Sequence, residues 1–258
     1  MILPHDDLGD PQAPALVLLH GLALDGSMWS EIASGLAERC RLILPDLRGQ
    51  GRAQVPTSGY EIDDLADDVV ETLDDLGIDR CVLGGLSMGG YVALSIAVRR
   101  PDRLRGLLLL QTRAGAHTPA AAEARRATAD AIERSGDLRD FADSLTSKLF
   151  AESTYTAQPA LVQRVRDAIG RTDPSGLART LRGLASRPDR TSALPSIDVP
   201  TLVVAGIDDR IVPLEEAREL AARIPGAGLV EIDRAGHLSP LEAPEPTSQA
   251  IRDYLERL

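Results

Sequence analysis

The sequence predicts an α/β fold in which a mostly parallel sheet is covered by helices on both faces. Short unbroken apolar runs recur along the chain, as is typical of strands that are buried on both sides. Segments with helical spacing of apolar residues separate these runs, and such alternation is the pattern of a parallel sheet. The length of 258 residues suits one domain of this kind with an insertion.

The amino-terminal part alternates regularly. Strands are predicted at 15–19, 41–46, 81–86 and 106–110. Helices are predicted between them, at about 29–37, 61–76 and 88–99. Gly77 ends the second of these helices and Pro101 the third, because glycine adopts the left-handed conformation and proline disfavours helix before it.

The middle of the chain changes character. No strand-like run occurs between residues 114 and 196, whereas Thr118-Pro119 and Asp173-Pro174 are typical helix starts. We therefore divide the chain into a core, 1–113 with 197–258, and an all-helical insertion, 114–196, that is expected to cover the active edge of the sheet as a lid. Ordinary layer helices are the alternative, and the long stretch without a strand disfavours it.

Alternation resumes after the insertion. Strands are predicted at 200–206 and 228–232, with helices at 215–223 and at about 246–258.

Composition limits the partners of the protein. The net charge of −11 argues against nucleic acid and anionic membrane surfaces, which require clustered lysine and arginine. The amino terminus lacks a signal-peptide pattern, and no apolar run approaches the roughly 20 residues that span a bilayer. We expect a cytoplasmic protein in which Cys40 and Cys81 are free thiols, and no pattern indicates an oligomeric state.

Gly85-Leu86-Ser87-Met88-Gly89 stands between a predicted strand and a predicted helix. This G-x-S-x-G pattern is that of a nucleophile elbow, in which serine adopts a positive φ and its neighbours must be nearly free of side chain. The five letters alone are weak, because a chain this rich in glycine contains them by chance roughly one time in ten. Their position after a strand and before a helix strengthens the interpretation.

A serine nucleophile needs a base and an acid that orients the base. In an α/β fold with a nucleophile elbow, these residues are expected in the chain order Ser, acid, His. Of the four histidines, only His237 follows a late strand at a suitable loop. The loop after strand 200–206 offers Asp208 and Asp209. By position alone, either aspartate could orient the histidine.

These residues resemble the α/β-hydrolase superfamily, in particular its lid-bearing esterase and enol-lactone-hydrolase-like branch. The likeness covers His20-Gly21, Asp46 to Gly51, the elbow, Gly206-x-x-Asp209 and Gly236-His237. It implies that Asp209 is the acid and that the backbone N–H groups of Leu22 and Met88 form an oxyanion hole. It also implies that His20, Asp46 and Arg48 shape loops and do not catalyse.

The sequence also departs from the family pattern. Only 14 residues precede the first clear strand, so we expect a sheet shortened at its N-terminal strands. Gln50 stands where relatives commonly carry histidine. Serine in place of aspartate at the nucleophile disfavours the dehalogenase and epoxide-hydrolase branches.

The sequence thus predicts a serine hydrolase that cleaves a small carboxylic ester or lactone through an acyl-enzyme on Ser87, with Asp209 and His237. No metal or cofactor is expected, because no Cys/His ligand cluster and no phosphate-binding glycine loop is present. The same triad also suits a cofactor-free perhydrolase or haloperoxidase, or a hydrolase of C–C bonds. A non-catalytic ligand-binding relative is a further alternative.

Overall fold

The computed structural model describes all 258 residues and contains one seven-stranded sheet. The strands are β1 (His5–Leu8), β2 (Ala15–Leu19), β3 (Arg41–Pro45), β4 (Cys81–Leu86), β5 (Leu104–Leu110), β6 (Thr201–Gly206) and β7 (Gly228–Ile232). Their order across the sheet is β1-β3-β2-β4-β5-β6-β7, and only the β1–β3 pair is antiparallel. The predicted mostly parallel sheet is confirmed. Since β2 separates β3 from β4, Cys81 is kept from Cys40, and both are buried free thiols.

Helices cover both faces of the sheet. They are α1 (Ser30–Ala37), α2 (Ile62–Asp75), α3 (Met88–Arg99), α4 (Pro119–Ser135), α5 (Arg139–Leu149), α6 (Glu152–Ala157), α7 (Pro159–Gly170), α8 (Pro174–Ala185), α9 (Leu214–Arg223), α10 (Ser239–Glu242) and α11 (Pro244–Leu255). None of them combines the length and the apolar character that crossing a membrane requires.

Alternate residues of β2 belong to two different apolar cores. Leu16 and Leu18 pack in the core that contains α1 and α11, whereas Val17 and Leu19 pack in the core that contains α2, α3 and α9. A strand presents successive side chains to opposite faces, so a fully buried strand must be apolar throughout. This explains the unbroken apolar runs of the sequence.

One short strand precedes β2 at the amino-terminal end of the sheet. Residues His5–Leu8 form β1, which pairs with β3 along the edge and which the apolar pattern did not predict. Its sequence is polar because an edge strand faces water, and Asp7 forms an ion pair with Arg41 at 2.7 Å. The sheet therefore keeps one antiparallel strand before β2.

Residues 114–196 contribute α4 to α8 and no strand, as the sequence predicted. Both predicted starts are capped: the Thr118 side chain accepts from the Ala121 N–H at 3.2 Å, and Asp173 accepts from Gly176 at 2.8 Å. The apolar faces of α5, α7 and α8 join the core on the α1 side of the sheet. The last helix, predicted over roughly 246–258, begins at Pro244 and ends at Leu255, and the short helix α10 precedes it.

Candidate active site

Ser87 occupies a sharp turn between β4 and α3. Its φ of 53° and ψ of −109° are strained for a residue with a side chain. A Cβ at Gly85 would lie 2.2 Å from the Gly89 carbonyl, and a Cβ at Gly89 would lie 2.3 Å from the Leu19 carbonyl oxygen. Both glycines of the pattern are therefore required by close backbone approach, which supports reading this segment as a nucleophile elbow.

Hydrogen bonds with the end of β5 and with Thr112, just after it, hold the strained turn. The Ser87 N–H donates to the Leu110 carbonyl at 2.9 Å, and the Thr112 hydroxyl donates to the Ser87 carbonyl at 2.8 Å. Gly90 lets Thr112 approach, because a Cβ at Gly90 would lie 2.5 Å from the Thr112 side chain. The surrounding structure thus fixes a conformation that the local sequence disfavours.

The structure brings His237 and Asp209 together. The His237 Nδ1 lies 2.7 Å from Asp209 Oδ2, and both residues are buried. The other Asp209 oxygen accepts from the N–H groups of Ile211 at 2.7 Å and Val212 at 3.0 Å, so the carboxylate is held in place. A donor at Nδ1 leaves Nε2 free to accept a proton. Asp208, the other candidate acid, is exposed to solvent.

Ser87 and His237 open onto one cavity at the carboxyl ends of the strands. The cavity leaves about 570 Å³ of space free of protein atoms, its mouth included. Residues of the sheet-containing core and residues of the helical 114–196 segment both line the cavity. The sheet side supplies Gly21, Leu22, Leu24, Leu86, Ser87, Met88, Tyr91, Arg113, Ile211, His237 and Leu238, and the 114–196 segment supplies His117, Arg125, Leu145, Leu149 and Leu184.

Leu22 and Met88 also lie at this cavity, and neither backbone N–H donates to another group of the protein. Met88 begins α3, whose N-terminal dipole favours negative charge. The turn that carries Leu22 is fixed by Gln50, whose side-chain oxygen accepts from the Ala23 N–H at 2.5 Å. Ala23 has a φ of 58°, so this turn is strained as well. Gln50 was noted in the sequence only as a departure, and its structural task is to hold this turn.

His20 also holds this turn through hydrogen bonds, and it does not line the cavity. Its Nδ1 lies 2.8 Å from the Gly21 carbonyl oxygen, and its Nε2 accepts from the Leu47 N–H at 2.8 Å. Burial lowers the pKa of His20, and the ring must be neutral for Nε2 to accept. Asp46 and Arg48 lie outside the cavity wall too.

A buried carboxylate holds the loop of His237. Glu242 Oε1 accepts from the N–H groups of Gly236 at 2.9 Å and Leu238 at 3.2 Å, on either side of the histidine. Its Oε2 accepts from the Ala151 N–H and the Thr154 hydroxyl, both at 2.8 Å. Burial raises the pKa of Glu242, and these four donors oppose that shift. Glu242 therefore joins the histidine loop to the 114–196 segment.

The sequence matches the α/β hydrolase fold family over residues 14–244. The chain belongs to the α/β hydrolase family. A thermophilic esterase from Thermogutta terrifontis, solved with malate bound, is 40% identical to this α/β hydrolase with a TM-score of 0.95, over 99% of this chain and 93% of the other. The enol-lactonase from Burkholderia xenovorans is 30% identical with a TM-score of 0.91, over 98% and 96% of the two chains.

Sequence comparison points to the same group of enzymes. The 3-oxoadipate enol-lactonase 2 of Acinetobacter baylyi is 27% identical over 255 residues, which is 99% of this chain and 93% of the relative. These three relatives are an esterase and two enol-lactonases, and each matches nearly the full length of this chain. This α/β hydrolase shares their architecture, including the helical segment before β6.

Several residues that shape the site escaped the sequence analysis. Gln50 contacts the distant Ala23 N–H, and Glu242 joins its own loop to Ala151 and Thr154, so no sequence motif reports these contacts. Arg125 lies in a helix whose facing could not be decided from periodicity alone, and it lines the cavity. Each of them is polar and well buried or partly buried, which only the tertiary structure reveals.

Proposed function

We propose that this α/β hydrolase cleaves carboxylic esters or lactones through an acyl-enzyme on Ser87. The observation that carries the proposal is the 2.7 Å contact of Asp209 with His237 Nδ1, in a cavity that Ser87 also lines. Because Nδ1 is engaged by Asp209, His237 Nε2 carries the lone pair and can act as a general base. The kinship with esterases and enol-lactonases supports ester and lactone bonds as the class of substrate.

In the first half-reaction, Ser87 Oγ attacks the carbonyl carbon while His237 Nε2 takes the hydroxyl proton. The negative charge that develops on the carbonyl oxygen is stabilised by the N–H groups of Leu22 and Met88, each worth about 10²–10³ in rate. The tetrahedral intermediate then expels the alcohol oxygen, which takes the proton from His237. In a lactone, the alcohol stays attached to the acyl group.

In the second half-reaction, His237 removes a proton from water, which attacks the acyl-enzyme. The proton returns to Ser87 as the acid leaves. Asp209 keeps the imidazole in the tautomer that has its lone pair on Nε2, and it stabilises the imidazolium that forms in both steps. These steps use no metal and no organic cofactor.

We assign residues 114–196 the function of a lid over this site. The segment supplies one wall of the cavity, including His117, Leu145 and Leu149. It also contacts the catalytic loop directly, because the His237 N–H donates to the Leu149 carbonyl at 2.8 Å. A small-molecule ester or lactone would therefore be enclosed between the sheet edge and these helices.

Removal of the Ser87 hydroxyl tests the proposal. Ser87→Ala is expected to lower kcat for a short p-nitrophenyl ester by about 10⁴-fold or more, without loss of fold. Ser147→Ala, at an exposed serine of α5, is the matched control and should retain the parental rate. Near-parental hydrolysis by Ser87→Ala would overturn the assignment.

A further inference from the structure

Gln111, which directly follows β5, is a buried polar residue in a strained conformation. It is 1% exposed, and its φ of 42° lies in the left-handed region that residues with a side chain rarely adopt. Its side-chain oxygen Oε1 is buried and has no hydrogen-bond partner. Both features cost stability, so the surrounding structure must impose them, and residues of this kind cluster at functional sites.

The backbone of the turn after β5 is bound to the nucleophile elbow and to β6. The Ser87 N–H donates to the Leu110 carbonyl at 2.9 Å, and the Thr112 hydroxyl donates to the Ser87 carbonyl at 2.8 Å. Between these two residues, the Gln111 N–H donates to the Val204 carbonyl at 2.9 Å, on the strand that leads to the acid. Gln111 is therefore fixed in position relative to the nucleophile.

The side chain of Gln111 reaches the loop of the base. Its Nε2 donates to Ser239 Oγ at 2.8 Å, and Ser239 is fully buried two residues after His237. No other hydrogen bond joins residues 110–112 to residues 235–239. This one bond therefore links the turn beside the elbow to the histidine loop.

The acid and the base are joined without Gln111. Asp209 Oδ2 lies 2.7 Å from His237 Nδ1, and the Asp208 N–H donates to the Ala235 carbonyl at 2.9 Å. Neither contact includes the nucleophile elbow. These contacts connect the base to the elbow only by way of the sheet, whereas the hydrogen bond from Gln111 makes the connection directly beside the elbow.

We propose that Gln111 is a positioning residue that holds the His237 loop in place relative to Ser87. The inference rests on the proposed function and adds a residue to the machinery of that same site. Gln111 does not line the cavity, so it acts on the imidazole through Ser239 and not on the substrate. Proton transfer by a side chain depends steeply on such placement.

The leaving group distinguishes placement of the base from general stability of the fold. His237 must protonate an alkoxide as it leaves, whereas p-nitrophenolate is a stable anion that leaves without a proton. Both kinds of ester need His237 to take the proton of Ser87. A misplaced imidazole therefore impairs two proton transfers for an alkyl ester and one for an aryl ester, while partial unfolding slows both esters by the same factor.

The kinetic test compares ethyl butyrate with p-nitrophenyl butyrate, which share the acyl group. Gln111→Leu removes the amide at similar volume. It should lower kcat/KM by about 10²-fold for the ethyl ester and by about 10-fold for the p-nitrophenyl ester, so that their ratio falls about 10-fold. Equal losses for the two esters, or no loss, in a folded Gln111→Leu would overturn the proposal.

Gln111→Gly provides a second variant without backbone strain, because glycine adopts a φ of 42° readily. It should show the same fall in the ratio, and a parental ratio in this variant would contradict the positioning role.

Tyr254→Phe is the matched control for the loss of a buried hydrogen bond. The Tyr254 hydroxyl accepts from the Leu107 N–H at 2.9 Å and donates to the Pro200 carbonyl at 2.8 Å, away from the cavity. Its loss should lower the free energy of unfolding and leave the ratio of the two esters unchanged. A fall in the ratio as large as that of Gln111→Leu would overturn the proposal.

A double-mutant cycle tests whether Gln111 acts through Ser239. Ser239→Ala removes the acceptor and should reproduce the fall in the ratio. The double variant should lose no more than about 2-fold beyond either single variant, because both substitutions remove the same hydrogen bond. Losses that multiply would contradict the coupling. Hydrolysis of neither ester by the wild type would instead count against the proposed function itself.

Discussion

Glu242 should couple the position of His237 to the stability of the fold. In Glu242→Ala, the buried N–H groups of Gly236, Leu238 and Ala151 lose their acceptor. An unsatisfied buried donor costs about 1–3 kcal/mol, so three of them predict a loss of about 3 kcal/mol or more in the free energy of unfolding. For a chain of this size that corresponds to a fall in Tm of at least about 6 °C.

Glu242→Gln should be milder. The amide oxygen can still accept from Gly236 and Leu238, and the Thr154 hydroxyl can turn to accept from the new NH₂ group. Only the Ala151 N–H is left unsatisfied, which predicts a loss of about 1–3 kcal/mol. The two substitutions therefore differ in the number of buried N–H donors that they leave without an acceptor.

The rate of ester hydrolysis should depend on how firmly the His237 loop is held. With both flanking hydrogen bonds gone, the loop that carries His237 is no longer held in place in Glu242→Ala, and a displacement of the imidazole by about 1 Å costs about 10² in rate. We expect kcat to fall by that factor with KM nearly unchanged, and Glu242→Gln to keep most of kcat. Urea unfolding and p-nitrophenyl ester kinetics measure both effects.

The matched control is Glu245→Gln. Glu245 is 80% exposed and forms only a surface ion pair with Arg252 at 2.8 Å, so its loss should change the free energy of unfolding by less than about 1 kcal/mol. If Glu242→Ala unfolded like this control and kept full kcat, the reasoning on the buried carboxylate would be refuted.

Three other substitutions test different parts of the site. Asp209→Asn should lower kcat by about 10³–10⁴-fold, while the exposed Asp208→Asn should not, and equal effects of the two would contradict the assignment of the acid. Gly89→Ala places a Cβ 2.3 Å from a backbone oxygen and should destabilise the fold by about 2 kcal/mol or more, whereas Gly170→Ala meets nothing within 4 Å and should be neutral or stabilising in urea unfolding. A neutral Gly89→Ala would argue against the tight elbow. The pKa of His117 is about 3 in the fold and about 6.5 when unfolded, so only the unfolded chain binds this proton as the pH falls below 6.5. Stability should therefore decrease from pH 7 to pH 5, by about 1 kcal/mol from this group after allowance for its partial exposure, and His117→Gln should remove that share of the pH dependence.

The central strands were predictable because burial on both faces forces unbroken apolar runs. The β4 run ends at Ser87, and the α2 apolar spacing ends at Gly77, whose φ of 66° is the left-handed cap that was predicted. By contrast, β1 is short, polar and at the edge, so it has no apolar signal. The local sequence pattern therefore predicted the strands whose burial requires apolar residues, and it did not predict the polar edge strand β1.

The site was predictable only as far as motifs reach. Ser87, Asp209 and His237 each follow a strand, and strand ends meet at one edge of a parallel sheet. Their catalytic roles, the lid, the absence of a cofactor and the cytoplasmic location remain predictions. Arg125 and Glu242 could not be found in the same way. Glu242 joins its own loop to groups more than 80 residues away in the sequence, and the position of Arg125 depends on which face of α4 is turned to the cavity.

The most direct test of the account is where a fluorophosphonate reacts. Phosphonylation requires an activated serine nucleophile, and peptide mass spectrometry locates the adduct. We predict one equivalent of label on Ser87 in the folded enzyme, with loss of ester hydrolysis in proportion, and strongly reduced labelling in His237→Ala. Full ester hydrolysis with Ser87 unlabelled, or an inactivating adduct on another residue, would contradict the claim that Ser87 is the nucleophile.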